Sequence, residues 1–276
     1  MLLFLSPLWF AFSLGLCLCL PFKKCDDAYL CPMRLDYPTG AERRSGRKAR
    51  LVVFTGAGIS AESGIQTFRG ADGLWEGHEI EDVASHEGWM RSRETVLDFY
   101  NARRASVLAA NPNAAHRGLA ALERDFDVTI ITQNVDDLHE RGGSTNVIHL
   151  HGEIRKAQSS CNPKLVVPVD GARLDIGAKC PKGSQLRPHV VFFGEPVLRY
   201  KEAEIATKAA DVFVVIGTKL AVFPAAGLVD LPGKNVAKFL IDIEPPEVPD
   251  SDWNVISLPA SEGIVYLMAK LADYGK

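Results

Sequence analysis

The sequence predicts an α/β fold built on a doubly wound parallel sheet, and three observations carry that expectation. Apolar, β-branched runs recur at 51–55, 128–132, 146–150, 211–216, 238–243 and 254–258. Helical patterns lie between several of these runs, and strands that alternate with helices form a parallel sheet covered on its faces. The first run leads directly into a glycine turn, Thr55-Gly56-Ala57-Gly58-Ile59-Ser60-Ala61, of the kind that ends a strand and opens a helix.

Taken in chain order, Leu51 to Phe54 reads as a buried first strand. Gly56, Gly58 and Ala61 then fit G-x-G-x-x-G/A. The first glycine allows a tight turn, the second lets a pyrophosphate approach the backbone, and the small third residue lets helix and strand pack closely. The N–H groups that open such a helix favour phosphate. Alone this pattern is weak, because many glycine turns bind nothing. Helices are expected over Arg93 to Leu108 and Ala114 to Arg124, the second opening after Asn113, which suits an N-cap. Two stretches interrupt the alternation. Residues 66 to about 109 are too long for a simple crossover, and residues 154 to about 189 are rich in Gly, Pro and Lys. No internal repeat or low-complexity segment is present.

Composition narrows the function classes. A chain of 276 residues holds one large domain or two small ones. A net charge of -3 gives no global electrostatic case for nucleic acid. Four of the six cysteines, Cys17, Cys19, Cys25 and Cys31, lie before the globular body. Only Cys161 and Cys180 remain in it, which is no disulfide framework and points to a reducing, cytoplasmic setting. Residues 2–22 are uncharged and mostly apolar, long enough for a membrane helix. Lys23 and Lys24, then Arg43, Arg44, Arg47, Lys48 and Arg50 in and around the basic linker 33–48, would then keep the body on the cytoplasmic side. The alternative is a start placed too far upstream, with Met33 as the true first residue.

Several residues suggest chemistry. A hydride-transferring enzyme with this glycine loop would place an acid about 20 residues on, at the end of the second strand. Asp72 and Glu76 are near that distance but sit in a loop-like stretch, so the chain departs from that pattern. His151 ends an expected strand before Gly152, and an imidazole with an ordinary pKa of about 6.5 suits proton transfer. His149 points to the same strand face, but no carboxylate or cysteine is adjacent to complete a metal site. Gln133, Asn134 and Asp136 follow a strand's C-terminal end, where open α/β sheets bind ligands; turn capping is the plainer role for such residues. Tyr100 and Arg103, three apart, share one helix face and together suit a carboxylate, whereas Arg104 lies on another face. An exposed helix surface is the plainer account of the same pair.

The string from Thr55 to Arg69, followed in order by Thr132-Gln133-Asn134-Val135-Asp136, His149-Leu150-His151-Gly152-Glu153 and Val191-Phe192-Phe193-Gly194-Glu195, resembles the sirtuins, the NAD-dependent protein deacylases. The resemblance runs from about Ala49 to the C-terminus. It implies a Rossmann-like large part (49–65, 110–153 and 190–276) and a smaller domain built from two insertions, 66–109 and 154–189, with the active site between them. NAD would be consumed as a co-substrate: its nicotinamide–ribose bond breaks and the acyl oxygen attacks the sugar.

By that resemblance His151 is the base, which leaves His149 structural, and Asn134 orients a ribose or a water. Asp136 would hold the nicotinamide amide, Arg69 would contact phosphates, and Phe68 would shield the reactive ribose face. Gly56, Ala57, Gly58, Gln133, Gly217, Thr218, Lys219, Asp242 and Ala260 complete the expected cofactor contacts. Lys219 stands where the family has serine, and Asp242 replaces a usual asparagine. Most sirtuins carry two Cys-x-x-Cys pairs for zinc. Here Cys161 and Cys180 are unpaired, so no zinc is expected, or at best a vestigial site drawing on His189 or Asp175. Tyr100 and Arg103, with Ala84 making room, match the sirtuins of class III, which remove succinyl and malonyl groups as well as acetyl. The protein partner would be an acylated lysine segment lying extended beside Phe193-Gly194-Glu195 and Leu220-Ala221-Val222. A mono-ADP-ribosyltransferase and a non-catalytic NAD or ADP-ribose binding module remain the alternatives.

Overall fold

The computed structural model describes residues 47–67, 77–248, 252–272 and 274. The apolar leader, most of the basic linker, Phe68, Arg69, Asp72 and Glu76 therefore lie outside the described residues. The chain opens with β1 (Arg50–Thr55) and the single turn α1 (Gly58–Ala61), then α2 (Ile80–Val83), α3 (His86–Arg91), α4 (Arg93–Ala109) and α5 (Ala114–Leu122). It continues through β2 (Asp127–Thr132), α6 (Leu138–Arg141), β3 (Val147–His149), β4 (Gly152–Ser159), β5 (Val166–Pro168) and β6 (Leu186–Val190). The last part holds α7 (Tyr200–Lys208), β7 (Val212–Ile216), a 3-10 turn over Ala225–Asp230, β8 (Ala237–Ile241), β9 (Trp253–Ile256) and α8 (Ala260–Leu271).

Six strands form one sheet in the order β3-β2-β1-β7-β8-β9. Every pairing in it is parallel. Strand β1 is buried from Leu51 onward because both faces are covered, which is why its sequence is a continuous apolar run rather than an alternating one. The chain winds outward to β3 on one side of β1 and from β7 to β9 on the other. The order therefore reverses between β1 and β7, and ligands in such sheets bind beyond the C-terminal strand ends at that point.

A second, antiparallel sheet, β5-β4-β6, stands apart from the first. Its apolar face shares a core with the helices of the earlier insertion: Val83, Trp89, Val96, Phe99 and Tyr100 pack with Ile154, Ala157, Leu186 and Phe192. Two segments distant in sequence thus bury each other's apolar surface. Helix α4 begins at a Ser92 cap that accepts from Thr95 N, and α5 begins at Asn113, whose side chain accepts from Ala115 N and His116 N. Among the described residues no helix is long and apolar enough to cross a membrane.

Three local expectations need correction. The helix after the glycine turn is one turn long, and Ala61 is exposed, so it makes no close helix–strand contact. The tight packing belongs to Gly56 and Gly58 instead. A Cβ on Gly56 would lie 2.6 Å from Thr218 Cβ, and one on Gly58 would lie 2.7 Å from Gly217 Cα. Strand β3 stops at His149, so His151 stands two residues beyond the strand end rather than on it.

Candidate active site

The loops at the C-terminal ends of β1, β2, β3 and β7 converge with the small sheet around a cavity of about 570 Å³. Gly56, Ala57, Gly58, Gln133, Asn134, Asp136, His151, Gly217, Thr218, Lys219, Asp242 and Ala260 all line it. Ala84, Tyr100 and Arg103 enter from the insertion helices.

One floor of the cavity is made by backbone. Gly217 adopts φ +63°, and a Cβ there would lie 2.4 Å from Ile59 N. The loops after β1 and β7 are clasped through Gly58 N donating to Gly217 O at 2.8 Å. Side chains at these positions would force the loops apart. Gln133 ties in the third loop by donating from Nε2 to Thr218 Oγ1 at 2.9 Å.

His151 is held by one ring nitrogen. Its Nδ1 lies 3.0 Å from Gln133 O, and a carbonyl can only accept, so Nδ1 carries the proton in the neutral ring. The lone pair then rests on Nε2, which has no protein partner among the described residues. Burial pulls the imidazole pKa below its usual value, more than the Gln133 hydrogen bond raises it, so the ring is neutral at pH 7. Gly152 explains why the backbone can deliver the ring here. It sits at φ +88°, and a Cβ would fall 2.1 Å from His189 O on β6. Only glycine lets the chain turn from His151 into β4 at that distance.

Asn134 and Asp136 are joined through Ser60, which the sequence reasoning did not single out. Ser60 Oγ donates to Asp136 Oδ2 at 3.0 Å, so its lone pair accepts from Asn134 Nδ2 at 3.1 Å. That leaves Asn134 Oδ1 for a ligand. Asp136 also caps Leu138 N through Oδ1 at 3.1 Å, which makes it a turn residue and a cavity residue at once. Its burial raises the carboxyl pKa against the hydrogen bonds from Leu138 and Ser60. The signal for Ser60 was present, since it lies inside the glycine string, but only the fold shows which side chains it meets.

His149 does have a carboxylate partner, supplied by the fold rather than by neighbouring sequence. Its Nε2 lies 2.7 Å from Glu140 Oε1 and its Nδ1 lies 3.2 Å from Asn134 O. Burial lowers its pKa, but the Glu140 hydrogen bond and charge outweigh this and leave it raised. Both nitrogens are engaged, so the side chain braces the Asn134 loop.

Tyr100 and Arg103 are buried, at 0 % and 8 % exposure, rather than on a solvated helix face. Tyr100 packs edge-on to Phe99 and at 6.2 Å from the Phe192 ring, while the Arg103 guanidinium lies 5.8 Å from the Phe99 ring. Burial pushes the phenol pKa well above its ordinary value. Arg104 is fully buried on the other side of α4, donating to Ile154 O at 2.7 Å and to Asn101 Oδ1 at 2.8 Å, and it serves the small domain's core. Beneath the pair, Arg187 donates to Glu195 Oε1 at 2.6 Å and stacks 4.3 Å from the Phe192 ring, fixing the Phe192–Glu195 loop.

Lys219 and Asp242, the two positions that depart from the sirtuin pattern, meet at the rim, with Nζ 3.0 Å from Oδ1. Of the groups considered for a vestigial metal site, His189 Nδ1 accepts from the Gln158 amide at 2.7 Å and Asp175 takes Arg173 at 2.8 Å. Among the described residues no cluster of three or more His, Cys, Asp or Glu side chains could hold a metal ion.

The Sir2 family signature matches residues 56–224. The chain is 55% identical over 198 residues to an NAD-dependent protein deacylase of Aggregatibacter actinomycetemcomitans, covering 72% of this chain and 95% of that protein. It is 51% identical over 192 residues to one from Helicobacter pylori, covering 70% and 83%. Among solved structures it is similar to a Sir2 homologue–NAD complex (40% identity, 83% of this chain and 91% of that one, TM-score 0.75). It is also similar to a Sir2–p53 peptide–NAD+ complex (28% identity, 82% and 95%, TM-score 0.66).

Proposed function

The chain belongs to the Sir2 family, and from that premise we propose that it is an NAD-dependent protein deacylase that removes acyl groups from lysine side chains. The observation that carries this reading is the neutral His151, its Nε2 open to a cavity also lined by Asn134 and Asp136. The cavity suits NAD on its own features: a glycine floor that admits a backbone-hugging phosphate group, a free amide oxygen on Asn134, and a buried carboxylate on Asp136. When bound, NAD supplies an electrophilic ribose carbon for the acyl oxygen.

The residues of the chain would do the rest. His151 Nε2 takes a proton from a ribose hydroxyl, while Nδ1 stays tied to Gln133 O and keeps the ring in the required tautomer. Asn134, held by Ser60, orients a ribose hydroxyl or a water. Asp136 accepts the carboxamide N–H. By the family resemblance Phe68 would shield the reactive ribose face and Arg69 would contact the phosphates; both lie outside the described residues. Tyr100 and Arg103 would take the far end of the acyl group beside Ala84, and a phenol with a guanidinium suits a carboxylate there. We therefore read succinyl and malonyl lysine as substrates alongside acetyl lysine. The substrate segment would lie between the Phe193 and Val222 loops. Part of that lane is taken, because Phe193 N donates to Ala84 O at 2.8 Å, so pairing along it would have to use other backbone groups. The free thiols of Cys161 and Cys180 support a reducing, cytoplasmic setting.

The purified chain incubated with NAD and acetyl-, malonyl- and succinyl-lysine peptides should give nicotinamide, O-acyl-ADP-ribose and the free lysine peptide by mass spectrometry. ADP-ribose retained on protein without lysine release would overturn deacylation in favour of ADP-ribosyl transfer. NAD binding without turnover would reduce the chain to a binding module.

A further inference from the structure

Strand β4 begins beside His151 and ends, away from the cavity, at Ser159. That serine is fully buried, yet it meets two sulfurs. Its Oγ lies 3.2 Å from Cys180 Sγ and 3.3 Å from Cys161 Sγ. The same oxygen accepts from Cys161 N at 3.3 Å, which pins the second residue after the strand. Cys180 is held from the other side, its N donating to Ser184 O at 2.8 Å and its O accepting from Gly183 N at 2.8 Å. Cys161 is exposed and Cys180 is buried. Neither thiol lines the cavity.

We propose that Cys161 and Cys180 form a dithiol that a peroxide closes reversibly into an intrachain disulfide. The geometry carries it: one hydroxyl gathers both sulfurs, and the side chain a small oxidant meets first is the exposed one. The reaction balances with one peroxide. Cys161 Sγ attacks a peroxide oxygen, the O–O bond breaks, and with hydrogen peroxide one water leaves and a sulfenic acid remains. The Cys180 thiolate, its proton already given to solvent, then attacks that sulfur, the S–O bond breaks, and hydroxide leaves and takes up a proton as a second water. Two thiols are oxidised and both peroxide oxygens are reduced. The hydrogen bond from Ser159, with lesser ones from the backbone at Lys182 and Ser184, lowers the Cys180 pKa to about 7, which favours the thiolate for the second step. The new bond would join the segment after β4 to the segment before β6 and close a loop that holds β5. It would restrict the unfolded chain there and make the small sheet harder to open when oxidised.

The test uses the full chain. The reduced protein is treated with hydrogen peroxide, alkylated and digested, and its cysteine peptides are mapped by mass spectrometry. The expected product is one cross-linked peptide joining Cys161 to Cys180, about 2 Da below the sum of its parts and reopened by dithiothreitol. In Cys161→Ser, Cys180 should stay alkylatable. Ser159→Ala keeps both thiols but removes the hydroxyl between them, and return of Cys180 to an ordinary thiol pKa should slow closure about tenfold at pH 7. Irreversible oxidation of Cys161 with Cys180 still alkylatable would overturn the proposal. So would a cross-link from Cys161 to Cys17, Cys19, Cys25 or Cys31. Stoichiometric zinc on the purified chain that shields both thiols from alkylation would overturn it as well.

Discussion

His151 combines two properties that a base needs and an isolated imidazole lacks: a fixed tautomer and a pKa held down by burial. His151→Ala should lower kcat by about 10²–10⁴-fold while NAD affinity is largely kept. Steady-state kinetics beside calorimetric NAD titration checks this, and near-normal turnover in a folded variant rejects the role. At the acyl end, Arg103→Met removes a charge-assisted contact of roughly 1.5–3 kcal/mol, which predicts about a 10- to 100-fold fall in kcat/KM for succinyl-lysine. Acetyl-lysine, with no carboxylate, should change little. Tyr100→Phe should act the same way but more weakly. Equal losses on both substrates would mean a folding or NAD-binding defect instead. Residue identity was readable where a motif fixed it, as in His149-Leu150-His151-Gly152. Pair partners were not. Nothing near His149 in sequence announces Glu140, and nothing announces that Ser60 joins Asn134 to Asp136, because those contacts exist only once β1, β2 and β3 lie side by side.

The elements of the main sheet were legible because buried parallel strands are continuous apolar runs, and each expected run falls on one of the strands β1, β2, β3, β7, β8 or β9 within a residue or two. The antiparallel sheet was not. Strand β4 mixes Glu153, Arg155 and Lys156 with Ile154 and Ala157, and both β5 and β6 contain proline, so composition pointed to loop. What holds those strands is the core they share with α4, a contact no local pattern encodes. Glycine roles were only half legible. The motif marked Gly56 and Gly58, but their closest neighbours are Thr218 and Gly217, far along the chain. Gly217→Ala tests that clasp. The new Cβ meets backbone at 2.4 Å and the residue sits at φ +63°, so neither a rotamer change nor a neighbouring side chain can relieve it. We expect a loss of more than about 1 kcal/mol in stability and weaker NAD binding, read from thermal melts and NAD titration. An unchanged NAD affinity would show that the glycine clasp does not shape the cofactor floor.

Behind the cavity floor, the whole molecule carries a buried polar layer that ties stability to pH. Thr55 Oγ1 donates to Thr132 Oγ1 at 2.9 Å and lies 3.0 Å from His139 Nε2. The His139 ring is 5.0 Å from that of His116, which caps α5 with Asn113. Burial lowers His116 to about 4, and it drives His139 well below its ordinary value. Burial also lowers His151 and His189. An unfolded chain protonates all of these near pH 6.5. Below that pH it therefore binds protons the native state refuses, and stability falls as pH drops. For His116 alone the window runs from about 6.5 to about 4 and is worth up to about 3 kcal/mol. His149 works in the opposite sense. Its raised pKa gives stability that is present below pH 6.5 and lost as pH rises through the folded value, so it offsets part of the loss. Several depressed imidazoles stand against one raised one, so the net slope is toward acid instability. Thermal melts between pH 7.5 and 4.5 should show Tm falling steadily below pH 6.5, and denaturant titrations at pH 5 should show net proton uptake on unfolding. A Tm that is flat or rising across that window would mean that His116 and His139 accept protons in the native fold, and that their layer is wetter than its burial indicates.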